Sequence, residues 1–288
     1  MLTGTKQKAL LLLLILPQFS NGQTTPSSDT SSDQAELAKK LSNPVASLVS
    51  VPFQNNFQFG VGGNSGYTYI LNIQQVVPLG LTGNWNLIVR PIIPLVHQDD
   101  IAARQSSGDV EEIIAPGGFY TGLGDITPQF YFSPSKPGPG GLIWGTGPVF
   151  LLPTATDRRV GSGKWGAGPT AVVLRQRGKL TAGILGNHIW SFAGHQDRRP
   201  VSQTFLQPFF NINLNTGTTL SPLVVEASYN WKTSYWTTQF VTGASQIVKL
   251  GGQLASVGFS VLTYPATPPG GPAWGIRFTT TLLFPQKH

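Results

Sequence analysis

Apolar and polar side chains alternate along the chain from Val49 onwards. In the segment 274–284, one set of alternate positions reads Trp, Ile, Phe, Thr, Leu, Phe, and the other reads Gly, Arg, Thr, Thr, Leu. A period of two is typical of β-strands that have one apolar face. The pattern predicts about twelve strands, at approximately 49–60, 67–77, 84–95, 122–133, 141–152, 166–176, 179–192, 202–214, 219–231, 235–246, 251–263 and 273–284.

The connections between these strands alternate in length. The short ones are 78–83, 134–140, 177–178, 215–218 and 247–250, and the mostly longer ones between them are 61–66, 96–121, 153–165, 193–201 and 264–272. The short connection 232–234 is the exception. Tight turns at one end and longer loops at the other are typical of outer-membrane barrels. We therefore predict an all-β fold, a transmembrane antiparallel β-barrel of about twelve strands with a short N-terminal helical segment, over a soluble sandwich with aromatic core residues.

The first 48 residues do not follow this pattern. Residues 1–22 have two lysines, an eight-residue apolar run and a small polar run, which is the layout of a secretory signal peptide. Residues 23–48 begin as a polar linker and contain a short helical stretch at 34–41. We expect the barrel to occupy residues 49–285, and the segment 34–48 suggests a plug in its lumen.

Composition fits this picture and excludes other classes. Only 11% of the residues are charged and 40% are hydrophobic, whereas an average domain is about 25% charged. The chain has no cysteine, which excludes a disulfide scaffold, a thiolate metal site and a cysteine nucleophile. Tryptophans lie near strand ends, as aromatic girdles would require: Trp85, Trp144, Trp190, Trp231, Trp236 and Trp274.

The polar face of the alternation predicts the residues that line the lumen. These are Asn72, Gln74, Asn86, Arg90, Asp125, Gln129, Gln207, Asn211, Asn213, Glu226, Asn230, Gln239 and Arg277. Arg90, Glu226 and Arg277 suggest an ion-pair network with two open interpretations. It either satisfies charges removed from water or forms a constriction that selects solutes. A lumen enclosed by twelve strands is intermediate in width. A barrel of about eight strands is filled by its own side chains, and one of about sixteen contains a water channel.

Three other groups of polar residues resemble functional sites. Asn187, His188 and Ser191 are the residue types of a lipid hydrolase, but on a flat strand His188 faces away from the other two, so we assign no catalytic residue.

The acidic loop residues Asp99, Asp100, Asp109, Glu111 and Glu112 suggest Ca²⁺ or an ion bridge to lipopolysaccharide. Because they lack EF-hand spacing and suit a solvated loop, we assign no metal and no cofactor. The loop bases Arg158, Arg159, Lys164, Arg198 and Arg199 could pair with lipid phosphates or with this acidic loop, although solvation is the simpler interpretation.

Five segments carry a resemblance to a known family. They are KKLSNPVASLVSVPFQNNFQFG (39–60), WGTGPVFLLPTATD (144–157), KWGAGPTAVVL (164–174), NHIWSFAG (187–194) and GGPAWGIRFTTTLLFP (270–285). The chain resembles a bacterial outer-membrane transporter family named for the MetA pathway of phenol degradation, often labelled "transporter" or "neuromedin U". The resemblance covers roughly residues 36–285, and it alone implies hydrophobic or aromatic solutes.

The expected function is therefore passive passage of small solutes through an outer membrane, without enzymatic activity. The alternative is a structural or adhesive barrel with a closed lumen. The expected partners are outer-membrane lipid and lipopolysaccharide, a small-molecule solute and the barrel-assembly machinery. Nucleic acid is not expected, because the chain is exported and has no basic helix.

Overall fold

The computed structural model describes residues 30–62, 66–99, 103–107, 110–115 and 119–284. It confirms a closed antiparallel barrel of twelve strands. The proposed signal peptide lies outside the described residues. The elements are α1 (Thr30–Leu41), β1 (Val49–Val61), β2 (Gly66–Gln74), β3 (Val77–Thr82), β4 (Trp85–Asp99), β5 (Ala103–Ser107), β6 (Val110–Ala115), β7 (Tyr120–Leu123), β8 (Thr127–Pro134), β9 (Leu142–Leu151), β10 (Lys164–Arg177), β11 (Leu180–Gly194), β12 (Ser202–Asn213), β13 (Thr218–Asn230), β14 (Tyr235–Leu250), β15 (Gln253–Ala266) and β16 (Trp274–Phe284).

The barrel closes where β1 pairs with β16, from Val49 opposite Phe284 to Phe59 opposite Trp274. Two of the twelve barrel strands are interrupted, so that β2 with β3 and β7 with β8 each form one strand against β4. The pair β5–β6 is a separate hairpin within the segment predicted as a long loop. No helix among the described residues is long and apolar enough to cross a membrane.

The predicted turn at 78–83 is wrong, because β3 continues the second strand as far as Thr82. Backbone hydrogen bonds join Val76 to Ser50, and beyond that point β3 pairs only with β4. A proline is tolerated on such an edge because its missing N–H has no strand to bond on that side. Pro78 therefore fits within the strand, although in the sequence it resembled a turn signal.

The predicted turn at 247–250 is also wrong, because β14 runs to Leu250. The turn consists of Gly251 and Gly252, whose φ angles are 55° and 91°. Two-residue hairpins of type I′ need positive φ at both central positions, which glycine adopts without a steric penalty. The glycine pair therefore ends β14 four residues later than the alternation suggested.

We expect Gly252→Ala to lower the free energy of unfolding by about 1 kcal/mol, because the side chain would be held at a positive φ that L-residues avoid. The measurement is the midpoint of urea unfolding in detergent, followed by tryptophan fluorescence. Gly80→Ala is the matched control, since a Cβ atom there would also meet nothing within 4 Å and its φ is not in the positive region. Equal midpoints for the two variants would contradict the prediction.

The two faces of the barrel wall differ as the alternation predicts. Large apolar side chains such as Val173, Ile184 and Phe278 are exposed on the outer face. Trp85 and Trp144 meet edge to face at the end with the short turns, with ring centroids 5.8 Å apart. The other four predicted girdle tryptophans lie toward the long-loop end: Trp190, Trp231, Trp236 and Trp274. An apolar outer band between two aromatic rims suits the hydrocarbon region of a bilayer.

The segment that precedes β1 packs at the short-turn end of the barrel. Ala38 is 1% exposed and packs with Ile247 and Leu283. The Ser42 hydroxyl donates a hydrogen bond of 2.7 Å to Oδ1 of Asn213 near the end of β12. Val45 is 4% exposed, among inward-facing residues that include Ile88 and Leu185. The segment 42–48 therefore enters the space that the strands enclose.

Candidate functional site in the barrel lumen

The lumen contains a cavity of about 290 Å³. Its wall combines inward-facing side chains of β1, β2, β4 and β12–β16 with residues 40–44, Ala46 and Leu48 of the N-terminal segment. Four charged side chains contribute to the wall: Lys40, Arg90, Glu226 and Arg277. Most of the remaining lining is small or uncharged and polar, as a water-exposed interior requires.

An ion pair inside the lumen joins Arg277 on β16 to Glu226 on β13. Arg277 Nη1 donates to Oε1 of Glu226 at 2.8 Å, and Nη2 donates to Oε2 at 3.0 Å. Two strands, β14 and β15, separate the partners in the wall, so the side chains span an arc of the interior. The bidentate geometry fixes both groups more firmly than a single contact would.

Neutral amides complete the coordination of this pair. Asn56 Oδ1 accepts a hydrogen bond of 2.5 Å from Nε of Arg277. Gln207 donates to Glu226 at 3.3 Å, and Gln239 donates to the other carboxylate oxygen. The side chains of Arg277 and Glu226 are only 8% and 16% exposed. Ions this far removed from water need such partners, because an unpaired buried charge is strongly destabilising.

Arg90 on β4 holds a second polar network. Its Nη2 donates to Oε1 of Gln74 at 2.7 Å, and its Nη1 donates to Oε1 of Gln129 at 3.4 Å. Gln74 in turn donates to Gln54 of β1 at 2.8 Å. Arg90 is therefore held by amides and attracts Glu226 only at a distance, so that of the predicted three-residue network Glu226 and Arg277 alone are joined by hydrogen bonds.

Part of the lumen is filled by apolar side chains. Tyr131 and Ile88 are fully buried, and Ile143, Val172 and Leu174 pack with them around Val45. The Tyr131 hydroxyl donates to Gln129 and accepts from Thr170 at 3.0 Å. The cavity is therefore displaced toward the β12–β16 and β1 side of the barrel.

The thirteen predicted lumen residues fall into three groups. Six line the cavity: Gln74, Arg90, Gln207, Asn211, Glu226 and Arg277. Five lie beside it: Gln129 and Gln239 bond to its charged groups, Asn72 is opposite Gln54 in the β1–β2 register, Asn213 bonds to Ser42, and Asn86 bonds to Ser47. Asp125 and Asn230 lie elsewhere.

Asp125 lines a separate pocket of about 420 Å³ at the long-loop end. Its carboxylate accepts hydrogen bonds of 2.6 Å from both the backbone N–H and the hydroxyl of Ser162. The strand break at 124–126, between β7 and β8, ends the alternation on which its predicted place depended. Asn230 is exposed and accepts from the N–H groups of Lys232 and Thr233 in the next turn.

Ion pairs hold the long loops together near this second pocket. Asp157 bonds to Arg159 at 2.9 Å, and these hydrogen bonds lower the pKa of Asp157 to about 2. Arg158 pairs with Asp197 of the β11–β12 loop at 2.5 Å, which lowers the pKa of that carboxyl as well. Arg159 also lies over the ring of Tyr120, 4.5 Å from its centroid. These loop bases therefore have partners within the loops.

Among the lumen residues that the sequence prediction missed, two bond directly to its polar networks. Gln54 and Asn56 of β1 bond to Gln74 and Arg277, and Asn56 is 3% exposed. They share one alternate face with Gln58, opposite Phe53, Phe57 and Phe59, which was a usable signal. Asn55 on the apolar face obscured it, and that side chain accepts from the hydroxyl of Tyr69 at 2.7 Å.

The hydrolase-like residues do not form a chain of hydrogen bonds. His188 stacks on Trp190, and its Nδ1 lies 2.7 Å from the Thr204 hydroxyl. The Ser191 hydroxyl accepts instead from the N–H of Val201 at 2.8 Å. A hydroxyl nucleophile needs a base within hydrogen-bond reach, and the hydrogen bonds of the described residues give Ser191 no such base. Among the described residues, no group of three or more His, Asp or Glu side chains could hold a metal ion.

The fold matches those of outer-membrane barrels. The chain is similar to the crystal structure of the COG4313 outer membrane channel from Pseudomonas putida F1, with a TM-score of 0.59, 17% identity and coverage of 82% of this chain and 94% of that one. The β domain of the Bordetella autotransporter BrkA also matches, at 12% identity and a TM-score of 0.44, over 83% of this chain and 100% of that one. No family model and no curated protein matches the sequence. The protein is thus a β-barrel with the fold of outer-membrane channels.

Proposed function

We propose that this barrel lies in a bacterial outer membrane and allows small solutes to pass by diffusion. The observation that carries the proposal is the polar cavity, whose arginine and ion-pair networks lie inside a wall that is apolar outside. Fixed polar groups in a narrow lumen can replace part of the hydration of a passing solute. The solved channel with the same fold supports this function by analogy.

The proposed location in the outer membrane also implies the partners of the protein. The outer band would contact lipid and lipopolysaccharide, and insertion would depend on the barrel-assembly machinery after export by the signal peptide. A preference for hydrophobic or aromatic solutes rests on the family resemblance. Phe209, which lines the cavity, offers such solutes an apolar contact.

We also propose that the segment 42–48 narrows the passage as a plug. Val45 fills space among inward-facing side chains of several strands, and Ser42 and Ser47 bond to β12 and β4. The same packing favours the second candidate, a structural or adhesive barrel whose lumen is closed. The two functions differ in whether water and solutes cross the barrel.

Liposome swelling distinguishes them. Vesicles that contain the folded, heat-modifiable protein should swell in isotonic solutions of small neutral solutes, and the rate should fall as solute size increases. Empty vesicles and vesicles with the heat-denatured protein are the controls. Folded protein without swelling would contradict the channel and support the closed barrel.

A further inference from the structure

We infer that Arg90 makes the lumen selective for small anions, including carboxylates. The inference rests on the proposed channel function and names the solute charge that the passage favours. Three of the four charged side chains that line the cavity are basic. The sign of the field inside the lumen then depends on which of these charges are neutralised nearby.

The other charged groups of the cavity wall have partners of opposite sign. Glu226 and Arg277 neutralise each other through two hydrogen bonds. Lys40 pairs with Glu36 one helical turn earlier, at 2.7 Å. Their fields therefore largely cancel at a distance and leave little net charge in the passage.

Arg90 differs because it makes its hydrogen bonds to neutral side chains, and because Glu226, which it also attracts, is already paired with Arg277. The charges of Arg90, Arg277 and Glu226 therefore sum to one net positive charge. Gln74 and Gln129 accept from its two terminal nitrogens. These bonds orient the group without removing its charge. A guanidinium has five N–H donors in a planar fork, so others remain for a carboxylate or halide in the cavity.

A fixed charge inside the lumen acts more strongly than one on the surface. At about 5 Å in water, one unit charge changes the ratio of anion to cation occupancy by on the order of tenfold. Exposed charges outside the barrel are screened within about 10 Å at 0.1 M salt. The formal positive charge of the turns and loops therefore contributes less to selectivity than Arg90.

The test is the reversal potential of the purified protein in planar bilayers under a KCl gradient. The wild-type channel should favour chloride over potassium, and Arg90→Gln should lower this permeability ratio by on the order of tenfold. Arg90→Lys retains the charge and should retain the preference. Lys136→Gln, which removes an exposed charge from a short turn, is the matched control and should behave as wild type.

The outcomes separate the two proposals. Channels that conduct without a preference for chloride, or whose preference survives Arg90→Gln, would overturn the inference and leave the channel function intact. Folded protein that never conducts would overturn both. Loss of the preference in both Arg90→Gln and Arg90→Lys would show that the shape of the side chain matters rather than its charge, which also contradicts the inference.

Discussion

Replacing Glu226 by glutamine is expected to lower the free energy of unfolding of the barrel by about 3–5 kcal/mol, the typical cost of leaving one ion of a buried pair unpaired. Arg277, the remaining partner, is 7% exposed, so water can replace little of the lost carboxylate. Asn56 would remain as its neutral acceptor and cannot neutralise the charge. The measurement is urea unfolding in phospholipid vesicles, followed by tryptophan fluorescence.

A double-mutant cycle provides the control. Arg277→Gln combined with Glu226→Gln leaves two amides that can bond to each other, so the double variant should recover most of the stability lost in either single variant. A coupling of this size is expected for residues in direct contact. If the two single effects simply add, the ion pair in the lumen does not hold β13 and β16 together.

Removing the N-terminal segment is expected to have the largest effect on conductance. Deletion of residues 23–45 removes the helix, Ser42 and Val45, and it opens the apolar side of the lumen around Ile88 and Leu185. Single-channel conductance in planar bilayers should rise several-fold, because a wider aqueous cross-section would replace packed side chains. Deletion of 23–29 removes none of the described contacts and should leave the conductance unchanged.

The deletion exposes apolar groups to the lumen, so stability must be measured alongside conductance. Val45→Ala keeps the segment and removes only two methyl groups from the centre of this packing. It should raise conductance slightly and leave the barrel folded. Unchanged conductance in the folded deletion variant would rule out a plug.

Much of the wall could be predicted from the sequence, because each strand carries its own two-residue period. Glu226 and Arg277 were assigned to the polar face from their neighbours alone, and both line the cavity. The sequence suggested an ion-pair network of Arg90, Glu226 and Arg277, but it could not show which of them are in contact, since that depends on how twelve strands are staggered around the barrel. The alternation within a strand determines which face of the wall a side chain occupies. Its contacts with other strands in the lumen are determined only when the barrel closes.

The errors have local causes. Asp125 was extrapolated across a strand that breaks between Leu123 and Thr127, where the carboxylate bonds to the loop residue Ser162. The hairpin of β5 and β6 lies within a segment whose charges suggested a solvated loop. Val45 belonged to the proposed plug 34–48, but its individual contacts could not be predicted, because a short apolar stretch outside any strand has no period from which to infer them.

The pairing of β1 with β16 joins residues that are more than two hundred positions apart in the chain. A contact of such sequence separation forms late, since the intervening chain must be ordered before the two ends can meet. Until then β1 and β16 each present an unpaired row of N–H and C=O groups, which can recruit another chain. Assembly is thus most vulnerable just before this seam forms, and a chain truncated before Trp274 would lose the strand that covers the open edge.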